Sequence, residues 1–357
     1  MTKASVLTGP DAFGELEGPW RELFASSPSA TPFQSWEWQS CVQRHLARRR
    51  RVVVVKVEEG GELVGLMPLA ESPGPWRALR PLGVGPSDIL QPLARAGHER
   101  TVAEEISKAL VGLKGQALID LHQIREDQPL AAAFQAESSS PQASCLILDL
   151  PKTYDAYLGT LGKSLRYDAR RLERKAGAED LRVFEPSNDE VPAAMERLFT
   201  LHGSRWRRRG MPGAFAGRRI RGFHLDWCSQ AARAGMLRLS LLLHEGRPIG
   251  AIYAMAVGRT WYFYQAGFAP VTKALSPGTL LVASAIRRAI EEGAATFDFL
   301  RGDEPYKRRW KPQRVVANLR LLRTDGSALG RLGLSWNGAG SRVERRLRER
   351  LEGRGLV

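Results

Sequence analysis

The stretch that decides the fold is Leu237–Phe268, LRLSLLLHEGRPIGAIYAMAVGRTWYFYQAGF. Its three apolar runs are of strand length, and the turn sequences EGRP and VGRT separate them. An antiparallel meander of three strands is the expectation. Upstream, a helix spans about Gly217 to Gly235, preceded by the helix DEVPAAMERLFTLHGSRW with Asp189 as its cap, and by the strand DLRVFEP. TYDAYLGTLGKSLRYDARRLERKAG reads as two short helices or one broken at Gly162. Downstream, Pro277 and Gly278 open the helix SPGTLLVASAIRRAIEEGA. TFDFL is the next strand, EPYKRRW a short helix and VVANLRLLRT a last strand. The tail from Ser341 is a basic helix.

The first half is also mixed. PWRELFASSP and TPFQSWEWQSCVQRHL have helical spacing, and RRVVVVKVEEGGELVGLMPLAE folds as a hairpin, with Val52–Val57 and Glu62–Leu69 joined at Gly60-Gly61. Ser72–Pro92 is loop with short strands, HERTVAEEISKALVGLKG a helix and ALIDLHQI a strand. Gln135–Ser144, rich in Ser and Gln, is expected to be an exposed connector before the strand LILDL. The class is α/β in the α+β sense, with one half over 1–145, a second over 146–335 and the basic helix over 336–357. No exact internal repeat is visible, so a doubled domain rests on element order alone.

Composition narrows the function. The 357 residues include three Cys, Cys41, Cys145 and Cys228, too few and too widely spaced for a disulfide scaffold, and reduced thiols in the cytoplasm are expected. No apolar run reaches the roughly 20 residues of a membrane span, so no transmembrane segment is expected. The His and Cys residues form no pair at metal-ligand spacing, and Walker A and GxSxG motifs are absent. No metal is therefore expected. A net charge of +15 attracts polyanions, among them phosphorylated cofactors, acidic carrier proteins and nucleic acid. No helix-turn-helix, zinc-finger or RRM signature organises a nucleic-acid surface.

Two stretches carry chemistry. WYFYQAGF, followed by a loop and SPGTLL, would supply backbone donors from a diverging strand at Gln265, Ala266 and Gly267. The helix start at Ser276, Pro277, Gly278 and Thr279 would meet a phosphate with its amides and dipole. Those are the needs of acyl transfer from a thioester. FDFLRGDEPYKRRW, Phe297–Trp310, puts Asp298 inside an apolar strand and crowds Asp303, Glu304, Tyr306, Lys307, Arg308 and Arg309 beyond its end. Lys307 is a candidate for cofactor phosphate. The same stretch also reads as a salt-bridged turn, Asp303 and Glu304 pairing with Arg308 and Arg309. Candidates for a base are Asp298, Asp303, Glu304 and His202, and direct attack with the proton leaving through water is the alternative. His202, Arg205 and Trp206 in the basic-aromatic run, Arg166 in the basic helix and Arg301 are candidate substrate contacts.

GKSLRYDARRLERKAG, LHGSRWRRRGMPGAFA, SPGTLLVASAIRRA and FDFLRGDEPYKRRW, spread over about Leu161–Trp310, resemble the BioF2-like or CelD/BcsL-type acetyltransferase family. That family is a branch of the GNAT superfamily related to the Fem peptidyltransferases, and the opening half matches it more loosely. The resemblance implies a tandem GNAT-like fold of two mixed, mostly antiparallel sheets flanked by helices. It implies acyl transfer from acetyl-CoA or acyl-CoA to an amine or hydroxyl acceptor, often in polysaccharide or envelope metabolism. Carried over by position, Ser276–Thr279 is the cofactor-helix start and Tyr306 the general acid, its phenol of pKa about 10 being a fit proton source for a thiolate. Tyr264, on the diverging strand, competes for that role. KALSPG, Lys273–Gly278, lacks the first glycine of the usual GNAT phosphate signature. The alternatives are a Fem-type aminoacyl-tRNA-dependent transferase, an acyl carrier protein as donor, and a non-catalytic protein of the same fold.

Overall fold

The structure is a computed structural model that describes residues 1–9, 11–175, 181–207, 210–269, 276–338 and 340. By internal contacts the chain divides into two units, residues 1–144 with those from 316 onward, and residues 145–315. The sequence reading grouped 316–335 with the second half. All three cysteines are buried, and none of them is in a disulfide.

Unit 1 begins with β1 (Thr2–Thr8), α1 (Asp11–Gly14), α2 (Glu17–Ala25) and α3 (Trp36–His45). The strands β2 (Val52–Glu59), β3 (Glu62–Glu71), β4 (Ala78–Pro81) and β5 (Leu93–Ala94) follow, then α4 (Glu99–Val111), β6 (Leu118–Arg125), α5 (Pro129–Ala133) and β7 (Ser138–Asp149). From β7 the chain continues through α6 (Tyr154–Thr160), α7 (Lys163–Lys175), β8 (Leu181–Phe184), α8 (Val191–Arg207) and α9 (Arg218–Arg233). The meander is β9 (Leu237–His244), β10 (Arg247–Val257) and β11 (Thr260–Phe268), and it is antiparallel as expected. Then come α10 (Pro277–Glu291), β12 (Thr296–Arg301), α11 (Pro305–Arg308) and β13 (Arg314–Thr324).

The two units have the same ladder. In unit 1 the order is β1-β2-β3-β4-β6-β13, antiparallel throughout except for the parallel step between β4 and β6. In unit 2 it is β8-β9-β10-β11-β12-β7, with the parallel step between β11 and β12. The last strand of each ladder is exchanged along the sequence. Unit 1 is closed by β13, which follows the short helix of unit 2, and unit 2 by β7, which follows the short helix of unit 1.

That exchange corrects two expectations. Because β7 and β13 run through the division, twelve of the thirteen strands among the described residues lie on one mixed sheet path instead of two sheets, and β5 pairs with β3 off that path. Gln135–Ser144 is not a connector. Ser138–Asp149 is one strand, and its start is tied down where the Glu137 N–H donates to the Leu322 carbonyl at 2.8 Å. The polar run SSSPQAS has no alternating apolar face to mark it as strand, and pairing within the sheet overrides its local preference. β1, an edge strand, was also missed.

Each unit has its own core. Val53, Val55, Val57, Leu69 and Leu121 pack with Val102, Ile106 and Leu110 of α4 in unit 1. Phe263, Phe297 and Phe299 pack with Leu281, Ile286 and Ala289 of α10 in unit 2. Burying each of the Val, Leu, Ile and Phe side chains contributes about 1.5–3 kcal/mol. Unit 1 also holds an ion cluster. Asp120, fully buried, accepts from Arg80 at 2.7 Å and from Arg320 at 2.7 and 2.8 Å, with His122 at 3.0 Å. Arg320 and Arg80 both donate to Asn337 Oδ1, at 2.8 and 3.3 Å, which pins the helical residues 328–338 to this unit. The expected basic helix lies outside the described residues from 341 onward.

Candidate active site

Unit 2 contains a split between two strands. β11 and β12 pair in parallel only over Thr260–Tyr262 and Thr296–Asp298, yet β11 runs on to Phe268 and β12 to Arg301. Against β10 the register shifts between Tyr253↔Gln265 and Ala254↔Phe263, so Tyr264 is the extra residue of a β-bulge. The Ala269 N–H donates to the Ile249 carbonyl, and hydrogen-bonded pairs alternate along an antiparallel ladder. The N–H groups of Ala266 and Phe268 are thereby directed away from β10 and into the split.

The N-terminus of α10 lies against the same opening. A cavity of about 300 Å³ is lined by Phe263, Ala266, Phe268 and Ala269 of the strand and its end, by Ser276, Pro277, Gly278, Thr279 and Val282 of the helix, and by Tyr306, Arg309 and Trp310. Ser276 caps the helix at φ +45°, ψ +53°, a left-handed conformation unusual for a residue with a Cβ. Directed amides and a helix N-terminus on an apolar slot suit an anionic head with an extended apolar arm.

The far wall is fixed from behind. The Tyr157 hydroxyl donates to the Trp310 carbonyl at 2.9 Å, and burial pushes its pKa up, so it stays a donor. Lys307, 3 % exposed, donates to the carbonyls of Arg301 at 2.7 Å and Gly302 at 3.2 Å and pairs with Glu304 at 2.8 Å. It clamps α11 to the end of β12, leaving Tyr306, on the same short helix, half-exposed at the cavity.

The candidate residues therefore separate into groups. Ala266, Ser276, Pro277, Gly278, Thr279 and Tyr306 are brought together at the cavity. Lys307 is not at the cavity, being occupied by backbone carbonyls. Asp303 is bound by Arg308 through both carboxylate oxygens, and Glu304 by Lys307, close to the salt-bridged turn that the sequence also allowed. Asp298, 1 % exposed, accepts the Leu300 N–H at 2.8 Å and holds Leu300 at φ +54°. The pairing of β12 with β7 is broken by a bulge between Asp298 and Arg301. Arg166 donates to the carbonyls of Gly159 and Leu161 at the α6–α7 junction, and Arg301 ends β12 opposite Cys145.

A second group lies on the other face of β11. Gly267 lets α8 approach so closely that a Cβ there would stand 2.5 Å from the His202 backbone nitrogen. Trp206 Nε1 donates to His202 Nε2 at 2.8 Å, which makes that nitrogen the acceptor. His224 stacks edgewise on Phe215 and Tyr253, 5.0 and 5.8 Å between centroids, and lies 5.6 Å from Tyr264. Burial pushes the His224 pKa down to about 3, so the ring is neutral. Tyr264 thus belongs to this buried aromatic cluster and does not line the cavity. Gln265, partly buried, is likewise outside the cavity lining, and the Arg205 side chain lies outside the described residues.

Sequence reasoning missed Phe263, Phe268, Ala269, Val282, Arg309 and Trp310 as lining residues. Five are apolar and look like core, and nothing in their spacing separates a cavity wall from packed interior. Among the described residues no group of three or more His, Cys, Asp or Glu stands together as a metal site would require, and no helix is long and apolar enough to cross a membrane.

Residues 163–308 match the family model described as an acetyltransferase (GNAT) domain, in agreement with the BioF2-like family that the sequence resembles. The match contains the split strand, the α10 start and Tyr306. Among solved structures, FemX is 12 % identical over 88 % of this chain and 96 % of its own, with a TM-score of 0.63. A conserved protein of unknown function from Bacteroides thetaiotaomicron is 10 % identical over 89 % of this chain and all of its own, TM-score 0.55. L-PGS from Bacillus licheniformis is 18 % identical over 74 % of this chain and 82 % of its own, TM-score 0.50. At these identities the likeness is one of fold. No curated protein matches the sequence.

Proposed function

We propose that the chain is an acyltransferase that takes its acyl group from an acyl-CoA thioester bound in unit 2 and passes it directly to an amine or hydroxyl. The observation that carries this reading is the convergence on one cavity of the diverging end of β11, the N-terminus of α10 and the phenol of Tyr306. The acceptor's lone pair attacks the thioester carbonyl, and the oxyanion is met by the N–H groups of Ala266 and Phe268. As the tetrahedral intermediate collapses, the C–S bond breaks and Tyr306 gives its proton to the departing thiolate. Asp298, Asp303 and Glu304 each have another partner, so the acceptor's proton leaves through water. The doubled ladder supports reading the whole chain as a tandem of GNAT-like units, with the donor in the second.

Calorimetric titration with acetyl-CoA at two salt concentrations tests the donor. Stoichiometric binding that survives the higher salt supports it, and its absence removes acetyl-CoA as donor. A second reading, aminoacyl-tRNA as donor, is favoured by the charge of residues 145–315, which carry 29 Lys and Arg against 17 Asp and Glu. Steeply salt-dependent tRNA binding without acetyl-CoA binding would favour it.

A further inference from the structure

Unit 1 carries a basic feature that the acyl-transfer reading does not use. Residues 1–144 hold fifteen Lys and Arg against seventeen Asp and Glu, yet five of the fifteen fall within Arg44–Arg51, RHLARRRR. Together with Gly9, Gln43, Ala47 and Val52, Arg44, Arg48, Arg49, Arg50 and Arg51 line one cavity of about 700 Å³. None of its described lining residues is acidic.

The backbone beneath the arginines is ordered. The turn from α3 into β2 is closed by Leu46 N–H and Ala47 N–H donating to the Val42 carbonyl and Arg50 N–H to Ala47 at 2.9 Å. Ala47 and Val52 are buried, and β2 is held by β1 up to Thr8↔Val53, next to Gly9. Arg44 Nη2 lies 3.3 Å from Cys41 Sγ, and Arg51 pairs with Glu71 at 3.0 Å. Arg48, Arg49 and Arg50 are exposed, and no ion pair to any of them is found among the described residues.

We propose that this arginine cup binds a compact ligand bearing two or more linked phosphates. Guanidinium forks grip phosphate oxygens in pairs, and a concave site ringed by several of them fits adjacent phosphates better than a single charge. The volume is that of a small-molecule site. A nucleic acid strand needs a continuing basic track, whereas the rest of residues 1–144 is net acidic. The ligand is therefore held at one end, by its phosphates.

The test is calorimetric titration of the full chain with inorganic pyrophosphate and with ADP. It compares the unmodified protein with Arg48→Ala/Arg50→Ala and with Gly278→Asp, the last placing a carboxylate at the start of α10. Expected is a saturable site for pyrophosphate and for ADP at the cup, at least tenfold weaker in the double arginine variant, with the pyrophosphate site unchanged in Gly278→Asp. Because the replaced arginines are exposed, thermal unfolding of the double variant should match the unmodified protein. Absence of pyrophosphate binding, or binding lost in Gly278→Asp and kept in the arginine variant, would overturn the proposal. So would arginine-dependent binding of phosphatidylglycerol vesicles or RNA with no saturable pyrophosphate site.

Discussion

Gln123 in unit 1 and Leu300 in unit 2 are counterparts. Each is the left-handed residue, φ +56° and +54°, of a bulge in the strand that follows the parallel step, and each donates its N–H at 2.8 Å to a side-chain oxygen, Gln142 Oε1 and Asp298 Oδ1. A buried carboxylate that supports strained backbone should tolerate loss of charge and not loss of its oxygen. Asp298→Asn is expected to keep both fold and turnover. Asp298→Ala, which strands the buried Leu300 N–H, should lose about 1–3 kcal/mol in urea unfolding. Abolition of turnover by the Asn variant in a folded protein would instead make Asp298 a catalytic base.

Tyr306→Phe should lower kcat by roughly 10²–10⁴-fold while acetyl-CoA affinity stays within about threefold, because only the proton donor is removed. Steady-state kinetics beside calorimetry separates the two. Asp303→Asn, which breaks an exposed pair with Arg308, should do neither.

Acid should attack unit 1 through Asp120. Burial works against its charge, but hydrogen bonds from Arg320 and His122 outweigh burial and hold its pKa well below the ordinary carboxylate range. The folded state thus favours the charged form. That stabilisation is complete above the ordinary Asp value of about 3.9 and is lost as the pH falls through the lower native value. Asp120→Asn should cost about 3–5 kcal/mol at pH 7, since it leaves Arg320 buried beside a neutral group, and should flatten the acid limb of the unfolding curve.

His224 gives unit 2 a different window. With its native pKa pushed down to about 3 from an ordinary 6.5, the unfolded chain takes up a proton first. Stability is full above pH 6.5 and falls by up to about 1.4 kcal/mol per pH unit toward pH 3. Chemical denaturation across that range checks it, and His224→Phe should remove the slope.

Much of this was legible in the chain. The meander, the α10 start at Pro277-Gly278 and the strand-then-short-helix order around Tyr306 follow from periodicity, a helix-entry signal and turn residues, which are local. What was not legible is what depends on partners distant in sequence. SSSPQAS becomes strand through the sheet it joins, Lys307 turns inward because two carbonyls at the end of β12 need a donor, and Tyr264 leaves the cavity because one bulge rotates it to the other face. The arginine run stood in plain view, but only the turn beneath it makes a concavity of a charge cluster.

Gly267→Ala should be among the more damaging small substitutions in unit 2. The added methyl would meet backbone, which cannot rotate away, and a loss of about 1–3 kcal/mol in thermal unfolding is expected.

The exchanged strands also constrain synthesis. During translation the first 144 residues leave the ribosome without their closing strand, which is encoded beyond residue 313. β6 must wait through the whole of unit 2 with one edge open, exposed to pairing with other chains. Unit 2 finds its own closing strand, β7, already made, so the later half can mature first.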